Sequence, residues 1–367
     1  MRVHALRTVE EFQHYATFGF DVYRDNPYWT PTDPDYLVSL LSQQLPHTAE
    51  AEVQAFWVEQ RDKVLAALTA VVEQGYNRHH REHLGHILFF EAMPAQDEAV
   101  QAVMQVAFRW LGERGCQAVR LSMLMGWQTP LTIDAYEAVP TVFHTYNPAY
   151  YHSYVKNAGF QTERGAVQYQ IEFTPALAAL YHEMVERVSR DGVRLRSFNF
   201  DHMEHETAIF TDVFNDTFSA HWGMHPLSAA MVHGLIGGLK DFLVADFIVF
   251  AELDGQTVGA VYALPDLNQA VHRMRGMSLE QHAEEFQQAL SAIDHGVLLI
   301  IGVRQAYRGR GINLALAAQS YRAMIERGYT TASYTIVLDD NWPSRRTAEK
   351  LGGKVTRNFV IYRKNLA

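Results

Sequence analysis

A turn rich in arginine and glycine contains the residues best suited to chemistry. An apolar run of strand length, Gly296 to Val303, leads toward the sequence Arg-Gly-Arg-Gly at Arg308 to Gly311, and apolar residues at helical spacing follow. Glycine lets the backbone adopt a left-handed conformation and approach a ligand closely. The first N–H groups of a helix, its dipole and nearby arginines together bind phosphate groups. The pattern favours an anion-binding turn; a turn that only connects strand and helix is the alternative.

Two other nucleotide-binding patterns do not fit this turn. A Walker A loop needs Gly-Lys followed by Ser or Thr, and that sequence does not follow here. The Gly-x-Gly-x-x-Gly spacing of dinucleotide-binding turns also fails, because the third residue after Gly311 is Leu314. The anion is therefore expected to be held by some other kind of loop.

An internal repeat indicates which elements position the turn. A helix-like segment ending at Gly115 precedes the strand-like Ala118 to Ser122, and the same order recurs in Ala323 to Gly328 and Ala332 to Val337. Each half also begins with a hairpin signal and ends with a helix-like segment, a glycine and a strand. Two copies of one α/β unit explain this order.

The repeat also predicts the domain limits. Between the copies, apolar residues recur at helical spacing from Pro175 to Arg190, which predicts a helix with one buried face. We expect a first domain over residues 1–175, a linking helix over 176–191 and a second domain over 192–367. A helix that belongs to one copy alone is the alternative for the middle segment.

The second half resembles a known family. Val303 and the sequence Arg308 to Ile312 resemble the pyrophosphate loop of the GNAT acetyltransferase superfamily, and Asn341 to Ser344 resembles its second coenzyme-contacting motif. Acetyl-CoA or another acyl-CoA is the co-substrate that the resemblance implies, with no metal. The implied coenzyme-binding residues are Ile301, Val303, Arg308, Gly309, Arg310, Gly311, Ile312, Asn313, Asn341 and Ser344.

The whole chain further resembles an uncharacterised family of tandem GNAT-like bacterial proteins. The similarity lies in strings such as Tyr146 to Tyr151, His221 to Leu227 and Ala263 to Asn268. It implies an α/β (α+β) protein with two tandem GNAT-like acyl-CoA acyltransferase folds. Each fold would have a mixed, largely antiparallel sheet flanked by helices.

Two positions depart from the superfamily pattern. Asn313 stands where the loop usually has glycine or alanine, so its side chain must contact the coenzyme or point away from it. Ala348 stands where many members have a tyrosine that protonates the leaving thiolate. The second departure weakens one mechanism without excluding acyl transfer.

The first copy lacks the features of an anion site. Its corresponding turn, Ala92 to Glu98, contains neither glycine nor arginine. Asp97 and Glu98 would cap the following helix and repel a pyrophosphate. We therefore expect a degenerate domain that binds no coenzyme and serves as a scaffold or as a wall of the acceptor site, or is purely structural.

Candidates for the chemistry come from two other segments. Tyr334, in a predicted strand, could face the reacting thioester, and a core aromatic is the alternative. His225 could reach the acceptor pocket, with a surface histidine in a turn as the alternative. The implied oxyanion donor is a backbone N–H near Ile301 to Val303. Trp222 and His221 would line the acceptor side, unless Trp222 only anchors its loop.

Composition narrows the class of protein. The 367 residues carry a formal net charge of -10, which disfavours nucleic acid or an anionic membrane as a partner. The single cysteine, Cys116, allows no internal disulfide and fits a reducing compartment. The N-terminus has no signal-peptide pattern and the apolar runs are short, so a cytoplasmic location is expected. The histidine-rich segments His79–His86 and Asp201–Glu206 are better explained as a loop and a solvated face than as metal sites.

These observations predict an acyl-CoA-dependent N-acyltransferase that uses its C-terminal domain. Acetyl transfer to a primary amine on a small molecule or peptide is the first hypothesis, and a homodimer is a further possibility. A non-catalytic acyl-CoA-binding or sensing protein and a fatty-acyl or aminoacyl transferase are the alternatives. The sequence does not identify the acceptor.

Overall fold

The computed structural model describes residues 1–275, 277 and 282–366, and contacts within the chain divide it into two units. The first unit comprises Met1–Gly165 together with the residues from Phe359 onward. The second unit comprises Ala166–Asn358.

The elements follow one another in a regular α/β order. Up to Glu172 they are β1 (Arg2–Ala5), α1 (Val9–Val22), α2 (Pro34–Leu41), β2 (Ala51–Gln60), β3 (Lys63–Glu73), α3 (Gln74–His80), β4 (Leu84–Ala92), α4 (Asp97–Gly112), β5 (Ala118–Leu121), β6 (Leu131–Thr132), α5 (Tyr151–Asn157) and β7 (Gln161–Glu172). The others are α6 (Pro175–Arg190), β8 (Arg194–Ser197), α7 (Met203–Phe218), α8 (Ala229–Gly237), β9 (Val249–Leu253), β10 (Gln256–Pro265), α9 (Leu267–Arg273), α10 (Ala283–Ser291), β11 (His295–Val303), α11 (Ile312–Glu326), β12 (Thr331–Leu338), α12 (Trp342–Lys350) and β13 (Lys354–Asn365). Short 3₁₀ turns occupy Pro46–Thr48, Phe200–His202, Lys240–Phe242, Ala245–Phe247 and Gln305–Tyr307.

The sheet of the first unit is mixed and mostly antiparallel. Strands β1 to β4 pair antiparallel in sequence order, β4 and β5 pair parallel, and the last strand, β13, pairs antiparallel with β5. Tyr362 of β13 faces Leu121 of β5 in this register. The buried faces of the strands and of α4 form an apolar core that includes Val103 and Leu111.

The second unit has the same kind of sheet. Strands β8 to β11 pair antiparallel in order, β11 and β12 pair parallel, and β7 pairs antiparallel with β12. Helices α6 and α11 cover one core, in which Tyr181 and Tyr321 are fully buried with ring centroids 5.7 Å apart. The strand pairing within each unit confirms the predicted fold class of two mixed, largely antiparallel units.

The content of the two units differs from the predicted domain segments. The predicted helix coincides with α6, Pro175–Arg190, but α6 packs in the core of the second unit and does not stand alone between domains. The part of β7 from Ala166 also belongs to the second unit, and the residues from Phe359 belong to the first. The strand that closes each sequence repeat therefore pairs with a strand of the other repeat. Strand β7 closes the first repeat and pairs with β12, and β13 closes the second repeat and pairs with β5. The predicted limits 1–175 and 192–367 therefore describe the sequence repeat and not the units.

No helix in the ranges given above combines the length and the apolar content that a membrane span requires. Within those same ranges, no three His, Cys, Asp or Glu side chains form a group that could hold a metal ion.

Candidate functional site

The cleft between β11 and β12 is the centre of the candidate site. The two strands pair only from His295 opposite Thr331 to Leu298 opposite Tyr334. Beyond that point β11 stays paired with β10 as far as Val303, whereas β12 follows β7. The strands therefore separate after Tyr334 and leave one edge of β11 unpaired by β12.

The open edge of β11 carries two backbone donors. The N–H group of Arg304 donates to the carbonyl of Val258 on β10 at 2.8 Å. Because alternate residues of an antiparallel strand direct their N–H groups to opposite sides, those of Ile301 and Val303 point away from β10. They face the cleft between β11 and β12. Leu299 and Ile300 are half-buried beside Ile301.

The arginine- and glycine-rich turn has the geometry of an anion cradle. Gly309 and Gly311 have φ angles of 82° and 80°, and a Cβ atom built on either would meet no described atom within 4 Å. Gly311 is the N-cap of α11, and no side chain of the described residues caps that end. The N–H of Ala315 is bonded to the carbonyl of Gly311, so the N–H groups of Ile312, Asn313 and Leu314 precede the first intrahelical bond.

The two arginines of the turn differ in their surroundings. The Arg308 guanidinium donates to the backbone carbonyls of Val303 and Thr217, both at 3.2 Å. The Arg310 guanidinium lies over the Tyr307 ring at 5.6 Å and is exposed. Arg308 therefore links the turn to the end of α7, and Arg310 is the better placed of the two to meet a phosphate.

A pair of hydroxyl groups lies where the strands separate. Asn341 caps α12 by accepting the N–H of Ser344 at 3.3 Å, and the Ser344 hydroxyl lies 2.9 Å from that of Tyr334. Tyr334 is buried, with 4% of its surface exposed, and this burial raises its pKa to about 12. Tyr334 is thus a core aromatic that also presents a protonated hydroxyl at neutral pH.

The position of the superfamily tyrosine lies in the core. Ala348 is fully buried, and its carbonyl accepts the N–H of Gly353 at 2.9 Å. Helix α12 therefore has no hydroxyl group at position 348. Tyr334 and Ser344 supply hydroxyl groups near its start instead.

The predicted acceptor segment is a closed loop after α7. Asn215 closes it, because its side chain donates to the carbonyl of Leu227 at 2.9 Å and accepts the N–H of Leu227 at 2.8 Å. His221 is half-buried against Phe218, and burial together with the Arg308 charge lowers its pKa. His225 is buried, with 8% exposed, and Trp222 is half-buried. The alternative interpretation of His225, a surface histidine in a turn, is thus wrong, and its place at the acceptor pocket stays a prediction.

The structure brings some predicted residues together and adds one that the sequence did not suggest. Asn313 donates through its Nδ2 to the hydroxyl of Thr347 on α12 at 2.8 Å. Thr347 was not predicted as a functional residue. A threonine one turn after Ser344 on the same helix is the signal that could have indicated it.

The corresponding cleft of the first unit is filled by its own side chains. The Tyr151 hydroxyl accepts the N–H of Ala92 at 2.7 Å and donates to Glu91 at 2.6 Å. At the start of α4, the Tyr154 hydroxyl accepts the N–H of Gln96 at 2.8 Å, and Asp97 lies in the first helical turn. Two backbone donors of this cleft, those of Ala92 and Gln96, are therefore already bonded within the chain.

Comparisons with known proteins agree with this geometry. Residues 207–353 match the sequence model of the Acetyltransferase (GNAT) family. A protein named "Bacterial ceramide synthase" from Caulobacter vibrioides is 24% identical over 375 residues, which cover 98% of this chain and 96% of that protein. Protein YghO of Escherichia coli is 19% identical, over 97% of this chain and 93% of its own length.

Solved structures show the same fold. A tandem GNAT protein from the clavulanic acid biosynthesis pathway superposes with a TM-score of 0.57 at 9% identity, covering 100% of this chain and 98% of that one. A GCN5-related N-acetyltransferase from Sphaerobacter thermophilus gives a TM-score of 0.56 at 13% identity, covering 100% and 95%. Residues 207–353 thus match the GNAT acetyltransferase family, and the chain as a whole has a tandem GNAT fold.

Proposed function

We propose that the second unit transfers an acyl group from acyl-CoA to a primary amine in the cleft between β11 and β12. The observation that carries this proposal is the combination of an open strand edge at Ile301 and Val303 with an uncapped helix start at Gly311. The strand edge can hold a thioester arm and the helix start can hold an anion. The strand edge precedes the arginine- and glycine-rich turn, and the helix start follows it.

The residues present fit coenzyme A. Gly309 and Gly311 leave open space against the backbone, and the first N–H groups of α11 together with Arg310 would hold the pyrophosphate. Ile301 and Val303 would hold the pantetheine arm through their N–H groups, and Asn341 and Ser344 would border it from α12. The coenzyme supplies an activated acyl group and a thiol leaving group.

The chain's own groups then assist the transfer. A backbone N–H of β11 would donate to the carbonyl oxygen as negative charge develops there. The amine nitrogen forms a bond to the acyl carbon as the carbon–sulfur bond breaks, and the thiolate takes a proton from the Tyr334–Ser344 pair. The amine gives up a proton to a base, for which His221 is suited because its lowered pKa keeps the ring neutral at pH 7.

A second candidate concerns the length of the acyl chain. The relative named bacterial ceramide synthase matches almost the whole chain, and a ceramide is an amide of a fatty acid. Three apolar residues that are only half-buried, Leu299, Ile300 and Ile301, line the open part of β11. Both observations favour a longer acyl group over the acetyl group that the sequence alone favours.

The experiment is a donor panel crossed with an acceptor panel. Release of free thiol is measured with acyl-CoA donors from acetyl to palmitoyl and with primary amines that range from small diamines to long-chain amino alcohols. Amine-dependent thiol release supports the proposal, and the best donor decides the chain length. A chain that binds coenzyme A but releases no thiol above the no-amine control with any pair would refute the transfer.

A further inference from the structure

We propose that the side chain of Asn313 is a positioning group, which holds the start of α12, and does not contact the coenzyme. This inference rests on the proposed function, because it concerns the same cleft. Asn313 is the second residue of α11, beside the anion cradle, and the family resemblance implies a coenzyme-binding role for it. Its Nδ2 instead donates to the Oγ1 of Thr347 at 2.8 Å.

The acceptor in this bond has a fixed role. Thr347 is buried, with 6% of its surface exposed, and its hydroxyl donates to the carbonyl of Pro343 at 2.9 Å. A hydroxyl has one proton, so the bond to Pro343 leaves only lone pairs for Asn313. The result is a directed chain of hydrogen bonds from Asn313 through Thr347 to the first turn of α12.

That first turn carries the hydroxyl pair. Ser344 follows Pro343 directly, and its hydroxyl lies 2.9 Å from that of Tyr334. A displacement of the Pro343 carbonyl would therefore move the Ser344 side chain relative to Tyr334. Asn313 thus couples the start of α11, at the proposed anion site, to the helix whose Ser344 contacts the Tyr334 hydroxyl.

This arrangement also explains why the position tolerates a side chain. The superfamily pattern has glycine or alanine where Asn313 stands, so no long side chain approaches the coenzyme from that position. In this chain the amide group is directed to Thr347, while the backbone N–H of Asn313 remains before the first intrahelical bond. The anion cradle and the link to α12 therefore use different atoms of one residue.

The test compares four variants with the wild type: Asn313→Ala, Thr347→Val, both together, and Thr347→Ser as the conservative variant. Gln319→Ala, an amide removed elsewhere on α11, is the matched control. We expect kcat for amine-dependent thiol release to fall about tenfold in each of the first two variants and no further in the double variant. Thr347→Ser should stay near wild type, and the Kd of coenzyme A should change less than twofold throughout.

A second readout needs no turnover. With 5-fluorotryptophan incorporated, the resonance of Trp342, the first residue of α12, is assigned by its loss in Trp342→Phe. Asn313→Ala and Thr347→Val should shift that resonance alike in the free protein, and Gln319→Ala should leave it in place. A tenfold rise in Kd with unchanged kcat, additive losses in the double variant, or an unmoved resonance would overturn the positioning role. Absence of thiol release in the wild type would instead count against the proposed function, while the resonance would still test the link.

Discussion

The hydroxyl groups of Tyr334 and Ser344 lie 2.9 Å apart at the point where β11 and β12 separate. Tyr334 is the last residue of β12 that pairs with β11, and Ser344 is in the first turn of the helix that follows β12. A strand end and a helix start thus bring two hydroxyl groups to the cleft. Because Tyr334 is buried, its proton stays on the oxygen at neutral pH.

Removal of the Tyr334 hydroxyl should slow acyl transfer without preventing folding. Tyr334→Phe keeps the ring in the core, so we expect a loss in kcat of about 10²-fold, the size of a missing general acid, and little change in coenzyme A affinity. Because burial raises the pKa of Tyr334 to about 12, its ionisation should produce no alkaline fall in the wild-type rate below pH 10. Thiol-release assays from pH 6 to pH 10 measure both effects. A wild-type rate retained in Tyr334→Phe would remove this residue from the mechanism.

The left-handed glycine at the start of α11 should be required for coenzyme binding. Gly311→Asp introduces a side chain at a φ of 80° and a negative charge beside the cradle, so binding of coenzyme A should fall at least 100-fold. Gly328→Asp is the matched control, because Gly328 has a φ of 84°, an equally open surrounding and a place just beyond the other end of α11. Both variants should lose about 1–2 kcal/mol of stability from the backbone strain alone. If calorimetry gives equal Kd values for coenzyme A in Gly311→Asp and Gly328→Asp, the turn before α11 does not bind the coenzyme.

The sequence predicted the repeat, the helix over Pro175–Arg190 and the turn before α11, because these depend on local patterns of apolar residues and glycine. It did not predict that β5 pairs with the strand from the end of the chain, since a strand sequence shows which face is buried but not which strand it pairs with. The contact between Asn313 and Thr347 was missed for the same reason. Neither residue stands out in the sequence pattern of its own helix. They become partners only because α11 packs beside α12.

A half-buried carboxyl group should make the first unit lose stability as the pH rises. Burial raises the pKa of Glu91 to about 7 from the ordinary value of 4.5, although the Tyr23 and Tyr151 hydroxyls, each 2.6 Å away, oppose this. A group with a raised folded pKa contributes stability below its unfolded pKa and loses that contribution as the pH rises through the folded value. The loss should run from pH 4.5 to about 7 and amount to about 3 kcal/mol.

Glu91→Gln provides the test of this pH dependence. Denaturant unfolding between pH 5 and pH 8 should show a flatter profile in Glu91→Gln than in the wild type. Glu98→Gln, which changes an exposed carboxyl group on α4, should keep the wild-type slope. Identical slopes in the wild type and Glu91→Gln would show that Glu91 does not titrate in this range.

The first unit should bind no coenzyme, so the stoichiometry should be one coenzyme A per chain. The Tyr154 hydroxyl already accepts the N–H of Gln96, and Asp97 and Glu98 place two carboxylates in the first turn of α4. Asp97→Ala combined with Glu98→Ala removes the charge but not the tyrosine, and titration calorimetry should still give one site. Two sites in the wild type would contradict the view that this half is degenerate.

The loop after α7 should shape the acceptor side of the cleft through Trp222. Trp222 is half-buried in a loop that Asn215 closes at Leu227, and His221 of the same loop lies near the Arg308 charge. If Trp222 lines the acceptor site, Trp222→Ala should raise the KM for the amine at least tenfold, with little change in coenzyme A affinity or Tm. If it only anchors the loop, the loss of a buried aromatic costs about 3–5 kcal/mol, and Tm should fall by several degrees. Trp222→Phe, which keeps an aromatic ring, is the control. Its KM for the amine and its Tm should lie between those of the wild type and those of Trp222→Ala. A large fall in Tm together with an unchanged KM would assign Trp222 to the anchor and not to the acceptor site.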